Sequence, residues 1–282
     1  MAAITQLIHN YLRHNKKFPH VLCPGCGHGI VLGSLIRSVH NLGISKDDMV
    51  LVAGIGCSGR VAVYVDWNTV HTAHGRALTV ATGIKMANPR LKVVVVMGDG
   101  DALAIGGNHF IHAARRNIGL TALVLNNSIY GMTGGQCSPT SPMGTASTTT
   151  PLGQLERPFD VVDLGLACGA GYVARSTSMH ALHMDKILQE ALSRPGFCLV
   201  EIFTPCPTQY GRKNGFKSAV DMYRWYKERA VKRERWETLS EERRATSFPI
   251  GVFRDEPKPG LEERYYAACA QLQEGKLCQP GK

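Results

Sequence analysis

The sequence predicts an α/β fold, a mainly parallel sheet with helices on both faces. Three observations carry this. Short runs such as Val93–Met97 are apolar at every position instead of every second one, the mark of strands buried on both faces. These runs alternate with segments of helical periodicity, as βα units do. Three of the runs also stop at Gly54, Gly98 and Asn126, residue types that end regular structure.

In chain order, Met49–Ala53 reads as a buried strand. Ala77–Ala87 reads as a helix stopped by Asn88-Pro89. Val93–Met97 is a β-branched strand, Ala102–Arg116 a helix, and Leu120–Leu125 the next buried strand. Residues 127–158 are rich in Gly, Ser, Thr and Pro, and a loop of that length in a compact domain is usually functional. Tyr172–Arg175 and Phe197–Phe203 are further strands flanking a helix over His180–Ser193. Residues 218–244 show a long, charged helical pattern with Tyr223, Trp225, Tyr226 and Trp236. The remainder, with Pro249, Pro257 and Pro259, reads as extended. The expected organisation is a domain over residues 1–217 and a charged, subunit-contacting C-terminal appendage over 218–282.

Composition narrows the class. The 282 residues are 44% apolar and 19% charged, which is globular and neither disordered nor collagenous. No apolar run approaches the length of a membrane span, and no apolar segment follows Arg13, Lys16 and Lys17 as in a secretory leader. A cytoplasmic protein without membrane contact is expected. The net charge is +10, and residues 211–282 carry 16 basic and 11 acidic residues, as many of each as the preceding 210. That segment is charge-dense instead of one-signed. The odd count of nine cysteines argues against a disulfide framework.

In open α/β sheets ligands bind beyond the carboxyl ends of the strands. The first strand runs into Gly54-Ile55-Gly56-Cys57-Ser58-Gly59, a formal G-x-G-x-x-G. A dinucleotide site needs an acidic residue about 20 positions on, and none occurs between Asp66 and Asp99. That reading is rejected, although the glycines still suit close approach to a phosphate. The next strand ends in Gly98-Asp99-Gly100-Asp101, and the one after it in Asn126-Asn127. A carboxylate and an amide oxygen at neighbouring strand ends can share one Mg²⁺, which takes a few protein oxygens and leaves the rest to water and phosphate.

Cysteines recur in the same places. Cys23-Pro24-Gly25-Cys26 is a C-x-x-C on a tight turn, Cys57 lies in the turn after the first strand, and Cys206 follows the last predicted strand. Four such thiolates suit either zinc or a [4Fe–4S] cluster, and their chemistry alone does not choose between them. Arg60 follows Cys57 closely, where a guanidinium can hold a substrate carboxylate bidentately.

The GDG and NN motifs resemble those of thiamine diphosphate enzymes. In order, CPGCGHG, GIGCSGR, HGRALTVATGIK, GDGDALAIGGNH, LNNSIYGMTGGQ and TPCPTQYGRKN together resemble the β subunit of 2-oxoacid:ferredoxin oxidoreductases over residues 18–217. The resemblance implies the thiamine diphosphate-binding (pyrophosphate-domain) fold. It implies Mg²⁺ held by Asp99, Asn127 and the Ile129 carbonyl. Gly100, Asp101, Gly131 and Met132 would line the diphosphate, and Ile55, Gly56, Cys57, Ser58 and His74 the rest of the cofactor. One [4Fe–4S] cluster would be ligated by Cys23, Cys26, Cys57 and Cys206. Cys57, His74 and Arg60 are the residues expected beside the reaction. Some family members carry a Lys at the Arg60 position, so the charge is kept.

The implied reaction is reversible oxidative decarboxylation of a 2-oxoacid with coenzyme A, with electrons passing through the cluster to ferredoxin; in reverse it fixes CO₂. The loop and the TPCPTQYGRKN run look most like 2-oxoglutarate enzymes, with pyruvate as the second choice. The carboxylate that activates the cofactor comes from an α subunit in this family, and this chain shows no candidate. The resemblance further implies an assembly of two αβ heterodimers.

Two other readings are weaker. His71/His74 and His109/His112 are H-x-x-H pairs but lack the Glu of a zincin. A zinc-dependent nucleic-acid-binding protein would account for the C-x-x-C and the aromatic–basic stretch at 223–236, but leaves the GDG and NN motifs without a role.

Overall fold

Strand residues alternate in direction, so a strand apolar at every position feeds two cores. The computed structural model, which describes residues 2–15 and 20–273, shows this directly. The strands are β1 (Met49–Ala53), β2 (Asn68–His71), β3 (Lys92–Gly98), β4 (Leu120–Asn126), β5 (Tyr172–Thr177), β6 (Cys198–Phe203), β7 (Ala230–Lys232) and β8 (Phe248–Asp255). They form one sheet in the order β2-β1-β3-β4-β6-β5-β8-β7. All neighbours are parallel except β5 with β8. The mainly parallel sheet is as expected.

The helices are α1 (Ala2–Asn10), α2 (His28–Asn41), α3 (Ala77–Ala87), α4 (Gly107–Arg116), α5 (Val161–Ala167), α6 (Ala181–Ser193), α7 (Ala219–Arg229), α8 (Arg233–Trp236), α9 (Glu241–Ala245) and α10 (Leu261–Gln273). On one face Leu51, Val94, Val96 and Leu123 join Leu35, Ile36 and Val39 of α2 and Ile187 and Leu188 of α6. On the other, Val50, Val52, Val93, Val95 and Val124 join Leu78 of α3 and Phe110 of α4. Each fully buried aliphatic side chain contributes about 1.5–3 kcal/mol, so β1 and β3 stabilise both layers at once.

The helix expected over Ala102–Arg116 is divided. Asp101–Ile105 is a π-helical turn, and α4 starts only at Gly107. Such widened turns are frequent at functional sites. The charged helical pattern over 218–244 is also interrupted. Ser218 caps α7, which ends at Arg229; Ala230–Lys232 then pairs with β8, and Ser240 caps a new start at α9. Beyond 246, β8 is extended as expected, but residues 261–273 are helical. Pro257 and Pro259 lie ahead of α10 and do not interrupt it. Glu262 on that helix is buried and accepts the Gly119 N–H at 3.0 Å. Through β8 the charged C-terminal segment is built into the main sheet.

Topology places the motifs together. β1, β3, β4 and β6 are consecutive neighbours and parallel, with Ala53 opposite Val96, Gly98 opposite Leu125 and Asn126 opposite Phe203. Their carboxyl ends therefore deliver the Gly54–Gly59 turn, Gly98–Asp101, Asn126-Asn127 and Thr204–Cys206 to one edge of the sheet.

Candidate active site

Two adjoining cavities occupy that edge. The first, about 250 Å³, is a cleft walled by the β1 turn from Ile55 to Ser58, by Gly98–Asp101 and by Asn127 and Ile129–Thr133, with His74 at its side. The second, about 680 Å³, is lined by Cys23, Cys26, Cys57 and Cys206, with Arg60 and Pro205–Gln209. His28, Cys57, Asn127, Gly131 and Met132 line both.

Asp99 is almost fully buried at 2% exposure. Burial pushes its carboxyl pKa up, and hydrogen bonds from Ser138 and Thr140 work against that. Both hydroxyls donate to Oδ2, at 2.5 and 2.6 Å. A buried carboxylate beside a cleft favours a cation, whose charge reverses the effect of burial. The two asparagines divide their work. Asn126 is buried, donates to Glu201 Oε1 at 2.7 Å and accepts the Ser128 N–H at 3.0 Å. Asn127 faces the cleft and accepts the Ile129 N–H at 3.3 Å. The turn is tight enough to hold Ser128 at φ 58°, a left-handed conformation rare for a residue with a side chain. Asp99, Asn127 and Ile129 line the same cleft, and their oxygens are of the type Mg²⁺ takes.

Asp101 lines the cleft, and its side chain makes further contacts across it. Its Oδ1 accepts the Gly75 N–H at 2.7 Å and the Ile55 N–H at 3.4 Å. His74 Nδ1 lies 2.6 Å from the same oxygen, without the alignment of a ring hydrogen bond. Asp101 thus braces the walls of the cleft against each other. Burial nevertheless pushes its pKa up. Tyr130 donates to the Gly100 carbonyl at 3.3 Å and meets the His74 ring edge-on.

The four cysteines share one cavity. Burial pushes the Cys26 thiol up to about 12, the His28 backbone N–H pulls it down, and Cys57, Cys206 and Cys23 add to the rise. Cys57 is raised for the same reasons, burial first and then Cys206 and Cys23. Gly131 closes the wall: a Cβ there would stand 3.4 Å from Cys206 Sγ and 3.7 Å from Cys57 Sγ. Among the described residues no three His, Cys, Asp or Glu side chains close on a single-ion site. Thiols spread around a roomy cavity fit a cluster better than a tetrahedral zinc, whose ligands all lie about 2.0–2.3 Å from one point. His109 and His112 line a separate groove and neither of these two cavities. Cys137, Cys168, Cys198 and Cys269 line neither cavity, and Cys278 lies outside the described residues.

Several residues of the site escaped sequence reading. Ser138 and Thr140 come from the long loop. Arg175 and Glu201 lie inside strands: Arg175 Nε donates to Glu201 Oε2 at 2.5 Å and Nη2 to both Asp160 oxygens at 2.7 Å. Through Glu201 this chain of contacts fixes Asn126. The available signal was a charged residue inside each of two otherwise uncharged runs, YVARST and CLVEIF. His28 was also missed.

Residues 54–202 match the family model described as thiamine pyrophosphate enzyme, C-terminal TPP binding domain. A 2-oxoglutarate synthase subunit KorB of Methanothermobacter marburgensis is 48% identical over 91% of this chain and 90% of its own length. The subunit of that name from Archaeoglobus fulgidus is 57% identical over 71% of this chain and 74% of its own. The chain belongs to the 2-oxoacid:ferredoxin oxidoreductase β-subunit family. A solved 2-oxoglutarate:ferredoxin oxidoreductase from Magnetococcus marinus, with 2-oxoglutarate, coenzyme A and succinyl-CoA bound, superposes with a TM-score of 0.82. Sequence identity to it is 32%, over 98% of this chain and 93% of that one. The family match begins at the Gly54 turn and ends in β6, so it spans three of the strand ends that build the cleft.

Proposed function

We propose that this chain is the β subunit of a 2-oxoglutarate:ferredoxin oxidoreductase that converts 2-oxoglutarate and coenzyme A to succinyl-CoA and CO₂. The observation that carries the reading is the common wall, in which Cys57, Asn127 and Gly131 belong both to the Asp99 cleft and to the four-cysteine cavity. Electron transfer between an organic cofactor and a cluster requires such nearness. Thiamine diphosphate, when bound, supplies the carbon nucleophile for the keto group and the sink for the electrons left by decarboxylation.

The chain's own part is binding and orientation. Asp99, Asn127 and Ile129 hold Mg²⁺, and Gly100, Asp101, Gly131 and Met132 line the diphosphate. Ile55, Gly56, Ser58 and His74 bound the remainder of the cofactor. Cys23, Cys26, Cys57 and Cys206 ligate one [4Fe–4S] cluster. Arg60, exposed at the mouth of the cysteine cavity, offers a fixed positive charge to a substrate carboxylate.

An α subunit supplies the missing activating carboxylate, within an assembly of two αβ heterodimers. Ferredoxin takes the electrons. Eight described cysteines are free and the ninth lies outside the described residues, which suits a reducing cytoplasm. Among the described residues no helix is long and apolar enough to cross a membrane.

The decisive experiment adds 2-oxoglutarate, without coenzyme A, to the αβ complex purified free of oxygen. Partial bleaching of a brown chromophore and a new EPR signal are expected. Bleaching by pyruvate and not 2-oxoglutarate would overturn the substrate. A colourless zinc protein would overturn the cluster.

A further inference from the structure

His28 opens α2 and is 1% exposed, yet neither ring nitrogen has a hydrogen-bond partner. A buried polar group left unpaired is destabilising, and a leucine or phenylalanine in the same space would avoid that cost. A neutral imidazole offers one N–H donor and one lone pair. Among the described residues nothing pairs with either.

The location suggests what does. His28 lines the cysteine cavity and the cofactor cleft alike. Its backbone N–H lies close enough to the Cys26 sulfur to favour the thiolate, which sets the residue on the sulfur side of the common wall. Only Gly27 separates it in sequence from a thiol of the proposed cluster. Hydrogen bonds to the sulfurs of a cluster are a principal means by which a protein sets its potential.

We propose that the His28 ring donates its N–H to the sulfur edge of the [4Fe–4S] cluster that faces the cofactor cleft, and so holds the cluster's reduction potential up. This rests on the cluster assignment above. His28 is then a tuning residue on the electron path between cofactor and cluster. A donor to sulfur favours the reduced cluster, which carries the extra negative charge. Its removal makes the cluster harder to reduce.

The test compares wild type, His28→Leu and His28→Gln in the anaerobic αβ complex. Each is assayed for iron and labile sulfide, for thiamine diphosphate affinity, and for cluster midpoint potential by EPR-monitored redox titration. The expected result is a lower potential in His28→Leu, recovery toward wild type in His28→Gln, which keeps an N–H donor, and unchanged cofactor affinity. His28→Phe is the second donor-free variant should leucine cost the cluster. Equal potentials in iron-replete wild type and donor-free variants would overturn the inference and leave the proposed function standing. Weakened cofactor affinity at unchanged potential would also overturn it, by assigning the ring to the cleft. Wild-type complex without iron would overturn the cluster assignment itself, and this inference with it.

Discussion

The Asp101 carboxylate lies against Gly54 so closely that a Cβ at position 54 would stand 1.7 Å from Oδ2. The first glycine of the β1 turn therefore answers to a side chain 47 residues on, not to a nucleotide. With Oδ1 holding the Gly75 and Ile55 N–H groups, Asp101 joins three segments of the cleft wall.

Gly54→Ala must push that carboxylate aside. Overpacking of this kind costs about 1–3 kcal/mol of stability, and the larger effect is expected on the cleft. Thiamine diphosphate affinity of the αβ complex should fall by about tenfold or more, equivalent to about 1.4 kcal/mol, with the far-ultraviolet circular dichroism unchanged. Isothermal titration of the cofactor checks it. Affinity equal to wild type would remove Asp101 from its bracing role.

Asp99 differs from Asp101 in accepting hydrogen bonds from two hydroxyls, those of Ser138 and Thr140. It is the carboxylate proposed to hold Mg²⁺. Cofactor with Mg²⁺ should raise the melting temperature of the wild-type complex, because a ligand that binds only the folded state stabilises it. A chelator should abolish the rise. Asp99→Ala should show no Mg²⁺-dependent rise, whereas Ser138→Ala should retain part of it. A full rise in Asp99→Ala would move the metal elsewhere.

What could be read in the sequence was local. The strands announced themselves by β-branched runs, and GDG and NN by turn chemistry, because both signals lie within a few adjacent residues. The order of strands is non-local, and so are the pairs it creates. Arg175 and Glu201 meet only because β5 and β6 pair in register. The charged stretch over 218–244 misled because its periodicity is real in α7 but yields at Ala230, where pairing with β8 wins over helix propensity. Residues 261–273 carried a helical composition, masked by the prolines just before them.

Arg175 is nearly fully buried between Glu201 and Asp160. Burial opposes its charge, and the two carboxylates more than offset that, so its pKa is raised. Removing one partner of a buried pair costs about 3–5 kcal/mol. Arg175→Met should lose about that much by urea denaturation and also weaken Mg²⁺-dependent cofactor binding through Asn126. Arg175→Met combined with Glu201→Gln should recover part of the stability. A double variant no better than the single would show that the pair is not the unit.

Asp160 gives the same network a pH dependence. Burial pushes its carboxyl up, but the Arg175 charge, the Arg175 hydrogen bonds and the Asp163 and Val162 N–H groups outweigh burial and hold it below the ordinary range. A depressed folded pKa contributes stability above the unfolded value, near 3.9, that is lost as pH falls through the folded value. Urea midpoints measured from about pH 6 to about pH 3 should therefore fall more steeply in wild type than in Asp160→Asn. Parallel curves would sink the assignment.

Basic charge is concentrated where electrons would leave. Pro205–Gln209 line the cysteine cavity, and Arg212, Lys213 and Lys217 follow as exposed residues, with Arg60 exposed at its mouth. An acidic ferredoxin steered to this rim would associate quickly at low salt and more slowly once screening shortens the field, since the Debye length is about 10 Å at 0.1 M. Rates of ferredoxin reduction under second-order conditions should fall as salt rises. Lys213→Glu with Lys217→Glu should lower the low-salt rate and flatten its salt dependence, with the 2-oxoglutarate-driven bleaching of the cluster unchanged. A wild-type rate indifferent to salt would place the docking face elsewhere on the complex.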